Sequence, residues 1–136
     1  MFKFVQTASF QTTVEAALPS EDGTVVEGSF KARFKHVGRE RFLELQQAQG
    51  EALGQVSAVS RGEDASLAAL LRARHALLEE VLEGVSGIGD GQGEYPADQQ
   101  RDIVLGHPAL INLTAEAFFG AYNGAARGNS KPSRGR

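Results

Sequence analysis

From Phe10 to Leu18 the chain alternates, with Phe10, Val14, Ala16 and Leu18 on one parity and Gln11, Thr13 and Glu15 on the other. That is the period of a strand with one buried face. A second alternation runs from Thr24 to Lys35, placing Val26, Phe30, Ala32 and Phe34 on one side and Glu27, Ser29, Lys31, Arg33 and Lys35 on the other. Between them, Pro19-Ser20-Glu21-Asp22-Gly23 offers a fixed φ, a side chain that bonds its own backbone, and a residue that accepts positive φ, so the two strands are predicted to form an antiparallel hairpin. Two strands alone are marginal in water. The face bearing Phe10, Val14, Phe30 and Phe34 must therefore be covered by helices farther along the chain, or by another chain.

Past Gly38 the period changes to that of helices. Phe42, Leu43 and Leu45 suit a short amphipathic helix over residues 39–48 that frays near Gly50, and residues 50–63, rich in Gly, Ser, Ala and Gln, are predicted as a loop or weak helix. Asp64 or Ser66 can cap the longest predicted helix, whose apolar stripe comprises Leu67, Leu70, Leu71, Leu77, Leu78, Val81, Leu82 and Val85, with Arg72, Arg74, Glu79, Glu80 and Glu83 largely opposite. The glycines from Gly84 to Gly91 are read as its stop. Pro96 and Asp98 open a short helix that runs to Gly106. Pro108 starts a final one with the stripe Leu110, Leu113, Ala117, Phe118, Ala121 and Tyr122, weakening at Asn123-Gly124. The fold class expected is α+β: an N-terminal antiparallel hairpin packed on a bundle of about four helices, in one domain over residues 1–126, with a disordered basic tail over 127–136.

Charge sharpens that division. All 17 acids precede Arg127 together with 10 of the 14 Lys and Arg, leaving −7 on the body and +4 on the tail. An acidic body opposes general nucleic-acid binding, which depends on clustered Lys and Arg. The chain has no Cys, which removes disulfides, thiolate metal sites and Cys nucleophiles, and it contains no run of 18 apolar residues. A cytosolic, non-spanning protein is the expectation.

Candidate chemistry is sparse. Gly87-Ile88-Gly89-Asp90-Gly91 superficially suggests a phosphate loop, but it follows a helical pattern and lacks the Gly-Lys-Ser/Thr ending. Asp90, Glu94 and Asp98 do not follow a calcium-loop spacing, and His36, His75 and His107 are too scattered to announce a metal site. No nucleophile motif joins a Ser to a His. No enzyme activity, metal or cofactor is expected.

An N-terminal Phe2-Lys3-Phe4 precedes Phe10 and a hairpin ending in Gly28-Ser29-Phe30-Lys31-Ala32-Arg33-Phe34-Lys35-His36, then an Arg/Glu-rich helix from Arg39 to Gln47. Leu78-Glu79-Glu80-Val81-Leu82-Glu83-Gly84 runs into a Gly-containing turn. The Tyr95 to Leu105 helix, the His107-Pro108 break and Ala117-Phe118-Phe119-Gly120-Ala121-Tyr122 complete the order. In this arrangement the chain resembles the tail assembly chaperones of long-tailed bacteriophages. The resemblance implies a non-catalytic protein of the host cytoplasm that binds the tape-measure protein and recruits tail-tube subunits. It would leave before the virion is complete, with self-association as a further contact open to it. A structural tail or connector subunit retained in the virion is the alternative. A DNA-binding regulator is disfavoured, because the Pro108 to Tyr122 helix has no Arg or Lys and carries Glu116. Phe30, Phe34, Phe42, Leu78, Phe118, Phe119 and Tyr122 are the candidate partner-binding residues. Phe118 and Phe119, being consecutive, cannot both face one helix stripe, so one of them is expected to be partly exposed.

Overall fold

The computed structural model describes residues 1–2, 8–58 and 63–122. The helix end expected at Asn123-Gly124 and the basic tail expected from Arg127 lie outside the described residues. The fold is α+β: strands β1 (Ser9–Pro19) and β2 (Val25–Lys35), helices α1 (Arg39–Ala58) and α2 (Glu63–Val81), strand β3 (Leu82–Ser86), then helices α3 (Ala97–Leu105) and α4 (Pro108–Tyr122). The sheet order is β1-β2-β3, antiparallel throughout.

The hairpin register places like parity opposite like parity: Phe10 faces Phe34, Val14 faces Phe30 and Leu18 faces Val26. One sheet face is thereby apolar along its length except at Thr12, which pairs with Ala32. Its turn is held by Asp22, whose carboxylate accepts hydrogen bonds from the Ser20 hydroxyl (2.6 Å), the Thr24 hydroxyl (2.7 Å) and the Thr24 amide (3.0 Å). Those donors favour the ionised form and hold its pKa down to about 2.

The third strand is where the helix expected through Val85 is corrected. Leu78, Val81, Leu82 and Val85 have helical spacing, yet α2 ends at Val81 and Leu82 opens β3 with no loop between. The register explains the mimicry. Ala32 pairs with Val85 and Arg33 with Gly84, but Phe34 pairs with Leu82, so an extra residue sits in β3 opposite the Arg33/Phe34 step. This bulge puts Leu82 and Val85, three residues apart, on the same face, where an unbroken strand would oppose them. Both are buried. Arg101 of α3 secures the junction, its Nε donating to the Leu82 carbonyl (2.9 Å) and its Nη2 to that of Glu79 (3.3 Å), near the end of a helix with no base in its own last turn.

The expected stop of the first helix near Gly50 is also corrected: α1 continues to Ala58. Phe42, Leu45, Gln49 and Ala52 form one continuous stripe across Gly50, buried or half-buried, and packing of α1 on α2 outweighs the propensity cost of the glycine. Arg41 joins the two helices through a bidentate pair with Glu80, with Nε 2.8 Å from Oε2, and those donors lower the Glu80 pKa.

The helices cover the base half of the apolar sheet face. Phe118 of α4 is fully buried and meets Phe34 edge-on at 5.2 Å between ring centroids. Leu77, Leu78, Val81 and Val104 complete the centre. Polar side chains enter this interior as ties between elements. From α2, Arg74 reaches Asn112 of α4 (2.8 Å) and Gln49 of α1 (3.4 Å), although its sequence pattern assigned it to the solvent side. Buried Gln100 accepts from the Ile88 amide (2.8 Å) and donates to the Tyr95 carbonyl (2.7 Å), clamping the glycine-rich segment onto α3. That segment therefore closes a strand rather than stopping a helix. Gly87 has φ +99°, and a Cβ at Gly89 would sit 2.0 Å from the Gly93 carbonyl oxygen, so both positions need glycine.

Two substitutions test this packing. A Cβ at Gly50 would meet nothing within 4 Å, so Gly50→Ala should raise unfolding stability by about 0.5–1 kcal/mol in a denaturant titration. The Thr114 hydroxyl is fully buried without a hydrogen-bond partner, so Thr114→Val should be neutral or stabilising by up to about 1 kcal/mol; a clear destabilisation would show the hydroxyl is satisfied.

Candidate partner-binding groove

The two strands of the hairpin are longer than their cover. β3 pairs only with Lys31 to Phe34, so the tip half of β2 has β1 on one side and no described strand on the other. Val25 and Val26 are consequently 63% and 59% exposed. Beneath the tip lies an open groove of about 380 Å³. Its roof is Leu18, Val26 and Phe30 of the hairpin, and its floor is Ile88, Ile103 and Leu110. Three independent segments thus direct aliphatic or aromatic surface into one concavity. A second hollow, of about 500 Å³, lies between α2 and the α3–α4 corner, with Arg72 and His75 beside Leu71 and Ile111.

Acidic residues predominate in the segments around the groove, whose lining also includes His107. From Ala8 to Phe30 the chain carries Glu15, Glu21, Asp22 and Glu27 with no Lys or Arg, Glu15 and Glu27 lying on the sheet face opposite the groove, and from Val85 to Gln100 it carries Asp90, Glu94 and Asp98, again with none. Asp90 accepts from the Gln92 and Gly93 amides, and Glu94 accepts from the Gly87 amide and from Gln100, which lowers both pKa values and keeps both groups ionised near neutrality. Among the described residues no three His, Asp or Glu side chains converge as metal ligands.

The seven candidate residues divide. Phe34, Phe42, Phe118, Phe119 and Tyr122 come together with Phe10 in one aromatic cluster at the base of the hairpin, with Phe42 to Tyr122 at 4.8 Å and Phe42 to Phe119 at 5.7 Å. Tyr122 serves as a tether, its oxygen accepting from the Val37 amide (2.9 Å) and lying 3.1 Å from His36 Nδ1. Phe30, Phe34, Leu78 and Phe118 are core residues, with 5%, 0%, 0% and 0% exposure, and offer a partner almost no surface. Phe42, Phe119 and Tyr122 are half-buried. Only Phe30 borders the groove. The groove residues Leu18, half-buried, and Val26, exposed, were legible as strand positions, but their lack of full cover depends on how far the elements packed beneath the tip reach.

No single helix among the described residues is long and apolar enough to cross a membrane. The α3 and α4 pair passes by length and composition but is bent by 100°, and Leu110, Ile111 and Phe118 of α4 belong to the core.

Phe118→Ala should cost about 3–5 kcal/mol of stability, whereas Phe119→Ala, at a half-buried position, should cost markedly less; equal losses in a paired denaturation series would make Phe119 core as well. No protein-family model, curated protein or solved structure matches this chain.

Proposed function

We propose that the chain is a tail assembly chaperone of a long-tailed bacteriophage, a non-catalytic protein that binds the tape-measure protein and recruits tail-tube subunits in the host cytoplasm. The observation that carries this reading is the open apolar groove under the hairpin tip. A tape-measure protein is long and presents apolar helical surface. A small protein that offers a concave apolar site can shield such surface until tube subunits replace the contact. The order of hairpin, helices and breaks along the chain supports the same reading through its resemblance to that family.

The second reading, a tail or connector subunit, is favoured by one feature: β1 is an eleven-residue edge strand paired on one side only among the described residues. Such an edge can extend a neighbour's sheet. Co-expression with the tape-measure protein encoded nearby separates the two. The chaperone reading expects a soluble stoichiometric complex, lost on Val26→Asp with the circular dichroism spectrum retained, and no copy of the chain in purified virions. Absence of a complex, together with the chain in virions, would replace it with the structural-subunit reading.

A further inference from the structure

The apolar groove and a set of carboxylates occupy the same end of the molecule. The hairpin turn holds Glu21 and Asp22, the clamped loop holds Asp90 and Glu94, and Asp102 stands beside the groove residue Ile103. Arg101, the one Lys or Arg from Val85 to Leu110, keeps its charge but holds its guanidinium against the Glu79 and Leu82 carbonyls, and His107 lines the groove itself. Lys and Arg gather instead at the opposite end of the hairpin, where Lys31, Arg33, Lys35, Arg39 and Arg41 fall within eleven residues. The protein is therefore polarised along β2, with its apolar opening at the negative pole.

We propose that this groove selects an apolar segment flanked by lysine or arginine. The inference rests on the chaperone reading only for the identity of the protein that carries the segment. Aliphatic side chains entering the groove would cover Leu18, Val26 and Ile88, while flanking cations would lie over carboxylates kept ionised by their own backbone donors. Because these carboxylates are exposed at the rim, their contribution is to selectivity and association rate, and it is screened by salt. An acidic segment of identical apolar content meets like charge at the same rim and is rejected. The basic stretch from Arg127 to Arg136 is not the occupant, since it has no aliphatic or aromatic residue beyond Pro132 to fill an apolar site.

The test uses the full chain and two fluorescently labelled peptides that share a Leu-rich amphipathic centre, one with two Lys at each end and one with two Glu. Fluorescence anisotropy in about 50 mM NaCl should show the Lys-flanked peptide binding about tenfold or more tightly, with the preference falling to about threefold or less in about 500 mM NaCl. Val26→Asp should abolish binding of the Lys-flanked peptide. The variant Glu21→Gln, Asp90→Asn, Glu94→Gln, Asp102→Asn removes four of the five rim charges while the amide oxygens at 90 and 94 can still accept the backbone hydrogen bonds made there, and it should cut the preference to about threefold or less with the circular dichroism spectrum retained. Equal binding of the two peptides, or binding indifferent to Val26→Asp, overturns the proposal. If neither peptide binds while the tape-measure complex forms, the groove assignment falls and the chaperone reading stands. If the Lys-flanked peptide binds as described and no tape-measure complex forms, the groove assignment stands and the chaperone reading falls.

Discussion

A mismatch of lengths governs this molecule. Eleven residues of β1 extend about 36 Å, whereas the fifteen residues of α4, which runs along that strand, extend about 22 Å. The helix cannot cover the strand. At the base, Phe118 seats against Phe34 and Phe10, and Tyr122 closes the end by accepting from the Val37 amide. At the tip the same alternating face continues through Leu18 and Val26 with nothing of equal length beneath it. Burial of large aromatic groups at one end supplies the stability that lets the other end stay open, since each fully buried Phe contributes on the order of 1.5–3 kcal/mol through its removal from water.

Polar side chains decide how the pieces are assembled around that arrangement. Apolar contact is non-directional, so stripes on four helices admit several arrangements of similar burial. Arg74 distinguishes among them by requiring oxygens from both α1 and α4, and Gln100 does so by satisfying the Ile88 amide and the Tyr95 carbonyl from one side chain. A rotated α2 or a displaced loop would leave these groups buried without partners.

Much of the fold was legible because parity and turn chemistry are local. The alternation around Phe10 and Phe30, the Pro19 to Gly23 reversal and the starts at Pro96 and Pro108 were all readable from neighbouring residues. The misreadings had one cause in common: a local signal was overruled by tertiary contact. Gly50 signals an end, but Gln49 and Ala52 on either side are buried where α1 packs on α2. Leu82 and Val85 imitate a helix because a bulge restores them to one face. The site was less legible than the fold. Large apolar residues attract attention in a sequence, and here most of them are core; what leaves Leu18 and Val26 accessible is the limited reach of the helices packed beneath the hairpin.

The loopless passage from α2 into β3 also constrains how this chain can change over time. An α-helix turns 100° per residue and a strand reverses its side chains every residue, so inserting or deleting one residue near Val81 cannot leave both Leu78 and Val85 facing the core. The hairpin turn is under no such constraint. Length variation among descendants of this sequence should therefore accumulate at residues 20–24 and be purged at the Val81–Leu82 junction, leaving that junction as a fixed reference point for aligning otherwise divergent relatives.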